Sequence, residues 1–339
     1  LKLDLAGYKN KKVKIILSVE LKKNKKYSFK ESFCLSNPTF IKKKVDYKNI
    51  ILLSIESLSD LNYLSYKYNL PKLPNFEKLM KISSSYSEVY SPIDATLTYA
   101  GSIFSGLMPS QHGLGDYSIS PDSYDNEILN KNIKLLSEQI KCKGFINFFG
   151  GTAPRLNSKT GFTRGFDDYF QVNKNYFANR PKMNLILNGL HSFKGFDKFF
   201  FLHLDCLHEP YLSLLDDKKP LSHDVSFLKK ENKKFNIEGY MNGLEEIDRE
   251  LGYLINYLNN NDEMDKTMIF LTGDHGNGIN WEKGMEYTLY DERLRVPLII
   301  KYPTWVESNN ENNSIPVSSV FEIHRILNSI FVKCCAQFS

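Results

Sequence analysis

Nowhere does the sequence hold the roughly 18 uninterrupted apolar residues that a membrane-crossing helix needs, and its first residues lack the short apolar segment of a signal peptide. The expectation is a soluble chain without a membrane span. Because the first residue is Leu rather than Met, an upstream leader or anchor stays open as an alternative. Cysteine is also scarce. The five present (Cys34, Cys142, Cys206, Cys334, Cys335) are odd in number and show no zinc-ligand spacing, which argues against a disulfide-built scaffold. Their pattern fits a reducing compartment such as the cytoplasm. No internal repeat recurs, and nothing in the charge pattern calls for a nucleic-acid partner.

What is present is ordinary globular composition, 42% hydrophobic and 24% charged over 339 residues, enough for one large domain with an appendage. The net charge of +5 is unevenly spread. Residues 1–48 hold 14 Lys and 4 acidic residues, which leaves 30 basic against 35 acidic residues in the remainder. Such a basic excess can attract an anionic surface or glycan, and it equally describes a solvated lysine-rich face. Apolar and polar residues alternate loosely from Val13 to Phe29, around a Lys-Asn-Lys-Lys turn at 23–26, as in a small β-hairpin. Residues 1–48 therefore read as a basic, hairpin-like extension and linker, and residues 49–339 as the main domain.

Within that domain strand and helix signals alternate. Asn49–Ile55 and Thr267–Thr272 are nearly continuous apolar runs of the length of strands covered on both faces. Phe145–Phe149, Phe199–Leu204 and Val296–Ile300 read the same way. Helical spacing joins Leu244, Ile247, Leu251, Leu254, Ile255 and Leu258, and shorter helices are expected from Pro74, around Leu136, and after a capping box at Ser319 and Glu322. This alternation predicts an α/β fold, a mostly parallel central sheet with helices on both faces.

Two strands end in acids. Glu56 follows the first, and Gly273 breaks the other directly before Asp274 and His275. Ligands bind at the carboxyl ends of strands in such sheets, and a carboxylate beside an imidazole suits a divalent metal ion. In the segment Ser91–Gly113 (S-P-I-D-A-T-L-T-Y-A-G-S-I-F-S-G-L-M-P-S-Q-H-G), Thr96 heads a helix rich in small residues. Its hydroxyl is placed near free N–H groups that favour a tetrahedral anion, and a simple helix cap is the alternative.

The order of these pieces resembles the sulfatase branch of the alkaline phosphatase superfamily, from about Asn49 to Phe331. The resemblance rests on Gly106-Leu107-Met108-Pro109-Ser110-Gln111-His112-Gly113, on His203 to Tyr211, on Asp274-His275-Gly276, and on Leu289 to Leu298. It implies a metal set of Glu56, Thr96, Asp274 and His275 around one divalent ion, Zn²⁺ or Mn²⁺ ahead of Ca²⁺ or Mg²⁺. It implies Thr96 and His208 as catalytic residues, with His203 and Lys283 as substrate contacts. His112 reads as a structural turn residue. Ser57 stands where many sulfatases have a second aspartate. Thr96 stands where they have the Cys or Ser that becomes formylglycine, and Thr96-Leu97-Thr98-Tyr99-Ala100 lacks the C/S-x-P-x-R pattern for that conversion. A threonine in this slot is similar to the phosphoglycerol and phosphoethanolamine transferases, which act through a phosphothreonine at the cell envelope. Met285 and Ala100 depart from the family pattern, and little of the usual C-terminal subdomain follows Phe331.

The resemblance thus implies a metal-dependent hydrolase or transferase acting on a phosphate or sulfate ester of a glycan or lipid head group through Thr96. Two alternatives remain: a sulfuric ester hydrolase without formylglycine, and a degenerate member that binds an anionic glycan without turnover.

Overall fold

The computed structural model describes residues 43–114, 128–151, 156–171, 179–207, 237–277, 289–306 and 319–332. All belong to the unit Ile41–Ser339; the other unit, Leu1–Phe40, with the expected hairpin, lies outside the described residues. In chain order the elements are β1 (Asn49–Ile55), α1 (Leu61–Lys67), α2 (Pro74–Lys81), β2 (Ser84–Tyr90), α3 (Thr96–Ser105), α4 (Pro109–His112), α5 (Leu136–Cys142), β3 (Ile146–Gly151) and β4 (Asp168–Gln171). Then come α6 (Asn179–Ser192), β5 (Lys198–Leu204), α7 (Ile237–Asn260), β6 (Thr267–Gly273), α8 (Asp291–Leu294), β7 (Arg295–Lys301) and α9 (Phe321–Val332).

The strands form one sheet in the order β2-β7-β6-β1-β5-β3-β4. From β6 to β4 all neighbours run parallel, whereas β7 is antiparallel to both β6 and β2. The expected mostly parallel α/β sheet is what the chain forms. β1, at its centre, is buried at every position, as its unbroken apolar run requires.

Side chains alternate across the sheet, so each strand feeds two cores. Ile51, Leu53, Phe200, Leu202, Ile269 and Leu271 face α2, α6 and α7. Ile50, Leu52, Phe199, Phe201, Met268 and Phe270 face α3, α5 and α9. Gly189 lets α6 approach the sheet, because a Cβ there would lie 2.5 Å from the Phe200 ring. α2 has Pro74 in its first turn and no side-chain cap of its own; instead Asp248 of α7 accepts from the Asn75 and Phe76 amides, both at 2.9 Å. A buried carboxylate thus satisfies free N–H groups at a helix start and locks two helices together.

Candidate functional site

The register of the three central strands builds the site. Ile55 of β1 lies level with Leu204 of β5 and Gly273 of β6. The residues that follow, Glu56, Asp205 and Asp274, are therefore three acids at neighbouring strand ends. One step back, His203 is level with Ser54 and Thr272 on the face covered by α3. Glu56 and Asp274 share that face by the period of two.

Four donor groups converge there. His203 Nε2 is 3.4 Å from both Glu56 Oε2 and Asp274 Oδ2. His275 Nε2 is 3.2 Å from Glu56 Oε1 and 3.6 Å from Asp274 Oδ2. Donor atoms of Glu56, His203 and Asp274 all fall within 4.8 Å of one another. Thr96 Oγ1 donates to Glu56, 3.0 Å from Oε2 and 3.3 Å from Oε1. Glu56, His203, Asp274 and His275 are buried, whereas Thr96 is half-buried. Thr96 is the first helical residue of α3; the N-cap is Ala95, and no side chain caps the helix.

A second layer holds these groups. Asp274 Oδ1 accepts from the Ser57 amide (2.9 Å) and from its neighbour His275 N (2.7 Å). Ser57 reaches this position with φ 60°, a left-handed conformation that costs a non-glycine residue roughly 1–2 kcal/mol. Tyr240 of α7 holds the turn, its hydroxyl donating to Ser57 O (3.0 Å) and accepting from Ser59 N (3.2 Å). His203 Nδ1 pairs with Asp205 Oδ1 at 3.0 Å, and Asp205 Oδ2 accepts from Lys182 Nζ of α6 at 2.9 Å. His275 Nδ1 donates to Gly276 O at 2.9 Å, with Asp94 Oδ1 3.2 Å away. Asp94 in turn pairs with Arg293.

The electrostatics follow from this layout. Burial alone lowers the pKa of both histidines. It is outweighed at His203 by the bonds to Asp205 and Asp274 and the Glu56 charge, and at His275 by Asp274, Glu56 and Asp94, so both rise to about 10. Burial works to raise the pKa of Asp274 too, but His275 and His203 hold it well below the usual carboxylate range. The site draws in positive charge, a proton or a metal ion. The charge count is specific. Asp205 pairs with Lys182 and Asp94 with Arg293, while protons on His203 and His275 balance Glu56 and Asp274; a divalent ion displacing those protons would meet two carboxylates, two imidazoles and a hydroxyl. That set of nitrogen and oxygen donors fits one divalent ion.

Of the residues expected from the sequence, the structure brings Glu56, Thr96, His203, Asp274 and His275 together. His208 and Lys283 lie outside the described residues. His112 is a structural residue: Nδ1 accepts from Leu114 N (3.1 Å), and Nε2 lies 3.0 Å from Ser102 Oγ. Sequence reasoning missed Asp205, Asp94, Lys182 and Arg293. Only Asp205 carried the signal that found Glu56 and Asp274, an acid at the end of a buried strand.

Known proteins agree with this architecture. An ulvan-active sulfatase of Formosa agariphila is 29% identical over 93 residues, 23% of this chain and 15% of that protein. The N-acetylglucosamine-6-O-sulfatase of Bacteroides thetaiotaomicron is 34% identical over 77 residues, 22% of this chain and 14% of that protein. The aligned segments thus span about 15% of the length of these curated relatives. The crystal structure of the lipoteichoic acid synthase LtaP from Listeria monocytogenes shares the fold, with a TM-score of 0.53 at 13% identity over 78% of this chain and 69% of that one. Among the described residues no helix is long and apolar enough to cross a membrane. The sequence model of one family, described as Sulfatase, matches residues 48–329, most of the chain; the protein belongs to the Sulfatase family.

Proposed function

We propose that the chain hydrolyses or transfers a phosphate ester carried on a glycan or lipid head group, with Thr96 as nucleophile beside a divalent cation. Glu56, Asp274, His275 and His203 would hold that cation. One observation carries the reading: the Thr96 hydroxyl is turned onto Glu56, 3.0 Å away, beside a buried set of two carboxylates and two imidazoles. A divalent ion bound there supplies Lewis acidity, lowering the pKa of a neighbouring hydroxyl and offsetting charge on the ester's non-bridging oxygens. The chain's own residues do the rest. Glu56 orients the Thr96 oxygen and gives its proton an acceptor. The first-turn N–H groups of α3, ten residues long, face the anion with the positive end of the helix dipole. Thr96 Oγ1 bonds to phosphorus, the ester P–O bond opposite it breaks, and the alcohol leaves with a proton, for which His208 is the assigned donor. Water or a second alcohol then displaces Thr96, which decides between hydrolysis and transfer.

A sulfate ester is the second reading, favoured by the two curated relatives, both of which are named sulfatases. The deciding experiment compares wild type, Thr96→Ala and Thr96→Ser on an aryl phosphodiester and an aryl sulfate, with a mass-spectrometric search for phosphorylated Thr96. Turnover of the phosphodiester should fall on the order of 10²–10⁴-fold in Thr96→Ala and persist in part in Thr96→Ser. Because Thr96 caps nothing, its alanine variant should lose only about 1 kcal/mol of stability, one hydrogen bond. Wild-type turnover in Thr96→Ala would refute the nucleophile. Preference for the aryl sulfate would favour the second reading.

A further inference from the structure

Asp94 lies two residues before Thr96, between β2 and α3, and its two carboxylate oxygens have different surroundings. Oδ2 pairs with the guanidinium of Arg293. Oδ1 is buried and accepts no hydrogen bond among the described residues, yet it lies 3.2 Å from Nδ1 of His275. A buried carboxylate oxygen without a donor is costly unless positive charge sits beside it. An imidazole made positive by a proton or a bound cation meets that need. The ring's Nδ1–H is aimed at Gly276 O, 2.9 Å away, and its Nε2 faces Glu56 at 3.2 Å.

The segment that carries Asp94 is fixed on both sides. Ser91 N donates to Leu294 O at 2.8 Å, and Ser91 Oγ donates to Ile93 O at 2.9 Å and to Asp274 O. Gly276 N donates to Arg293 O at 2.6 Å. The loop leading to Thr96 is thus tied to the turn that bears Asp274 and His275.

We propose that Asp94 is a positioning residue for His275, whose charge beside Nδ1 strengthens Nε2 as the atom given to the cation. The inference rests on the cation reading above and deepens it by naming the atom of His275 that binds. A carboxylate beside the N–H of a metal-facing imidazole raises the basicity of the other nitrogen, and loss of such a partner typically weakens metal affinity about 10–100-fold. Gly276 O already fixes the tautomer; what Asp94 adds is charge. Asp94→Asn removes that charge at nearly constant size.

The test measures Zn²⁺ affinity of the purified full chain by competition with a chromophoric chelator, with melting curves to confirm folding. Asp94→Asn should bind Zn²⁺ about 10–100-fold more weakly than wild type. His275→Ala, which keeps the Glu56, His203 and Asp274 donors, gives the background that isolates the role. There Asp94→Asn should cost less than about threefold, because the group it acts through is gone. An equal loss in both backgrounds would mean that Asp94 acts through the fold or directly on the ion, and would overturn the proposal. Unchanged affinity in Asp94→Asn with His275 present would do the same. Nitrogen NMR of Zn²⁺-loaded wild type with isotope-labelled histidine keeps the proposal testable should Asp94→Asn fail to fold. The His275 signals, identified by their loss in His275→Ala, should show a proton on Nδ1 and Zn²⁺ on Nε2; Zn²⁺ on Nδ1 would overturn the inference. Each of these results leaves the cation reading intact, whereas a wild type that takes up no Zn²⁺ would remove both.

Discussion

Tyr240→Phe removes one oxygen from α7 and reaches the site through the Ser57 turn. The hydroxyl is fully buried and serves two backbone groups, Ser57 O and Ser59 N. Phenylalanine fills the same space but leaves both without that partner, and a buried unpaired backbone group costs about 1–3 kcal/mol. The pair therefore puts the loss at about 2–6 kcal/mol. Over 339 residues, at about 2.1 cal/mol/K per residue, the unfolding entropy is about 0.7 kcal/mol/K, so the melting temperature should fall by about 3–9 °C. Ser57 holds φ 60° only while its turn is tied down, and its amide is one of two that position Asp274. Zn²⁺ affinity should therefore drop with stability, by about 10–100-fold, as for loss of any group that orients a metal-facing carboxylate. Ser57→Gly is the counter-test: it relieves the left-handed strain and keeps the amide, so stability and affinity should both hold or rise. Thermal melting and chelator competition on the two variants decide the matter. A Tyr240→Phe protein that melts within 1 °C of wild type and binds Zn²⁺ equally well would refute the idea that the hydroxyl holds the turn.

Further outcomes follow from the same geometry. Gly276→Ala should abolish the folded site, because its Cβ would lie 2.1 Å from Glu292 O and 2.8 Å from Ser59 Oγ; loss of Zn²⁺ binding with lowered melting temperature checks this. Chelation of a protein saturated at a hundredfold its dissociation constant should remove about 2.7 kcal/mol, about 4 °C on the scale above, recoverable by adding the ion back. Asp248→Ala should cost about 2–4 kcal/mol by freeing the first turn of α2, with Zn²⁺ affinity unchanged. Co-expression with a formylglycine-generating enzyme should leave Thr96 unmodified; loss of two hydrogens from the Thr96 peptide by mass spectrometry, the ketone that oxidation of a threonine gives, would overturn the preference for phospho chemistry.

The central strands were legible because burial on both faces leaves one kind of sequence, an unbroken apolar run, as in β1, β5 and β6. Strand direction was not. β7 has the same apolar run as its parallel neighbours yet lies antiparallel, since a run says how deeply a strand is buried and nothing of which way it points. The edge strand β2 was missed. Its polar sequence S-S-Y-S-E-V-Y breaks alternation at a register shift between Tyr86 and Val89, where Glu88 adopts φ 59°. The inner site could be read for the opposite reason: an acid directly after a buried run has almost nowhere to go but the strand's end. The outer pairs leave no such trace. Arg293 meets Asp94 across 199 positions and Lys182 meets Asp205 across 23, through packing that local periodicity does not encode.

Thr96 shows how one position of helical register decides between two chemistries. Read from sequence, a threonine before an apolar stretch is a cap, and a capping hydroxyl is spent on the amides of the next turn. In the structure the chain turns extended one residue earlier, at Ala95 with φ −164° and ψ 121°, so Thr96 is already helical and its amides need nothing from its side chain. The hydroxyl is then free to reach Glu56 across 40 residues of sequence. Ala95, 6% exposed against the core, provides no oxygen that would compete for the role. The helix therefore starts uncapped by any side chain, an arrangement that costs about 1 kcal/mol relative to a Ser, Thr, Asp or Asn at that position. Ala95→Ser should recover part of that energy if the site is indifferent to it. If the uncapped N–H groups are there to meet an anionic ester, the same substitution should stabilise the protein by up to about 1 kcal/mol while raising KM. Melting temperature and KM measured on one preparation separate the two, and a stabilised Ala95→Ser protein with wild-type KM would refute the claim that the free N–H groups of α3 receive the substrate.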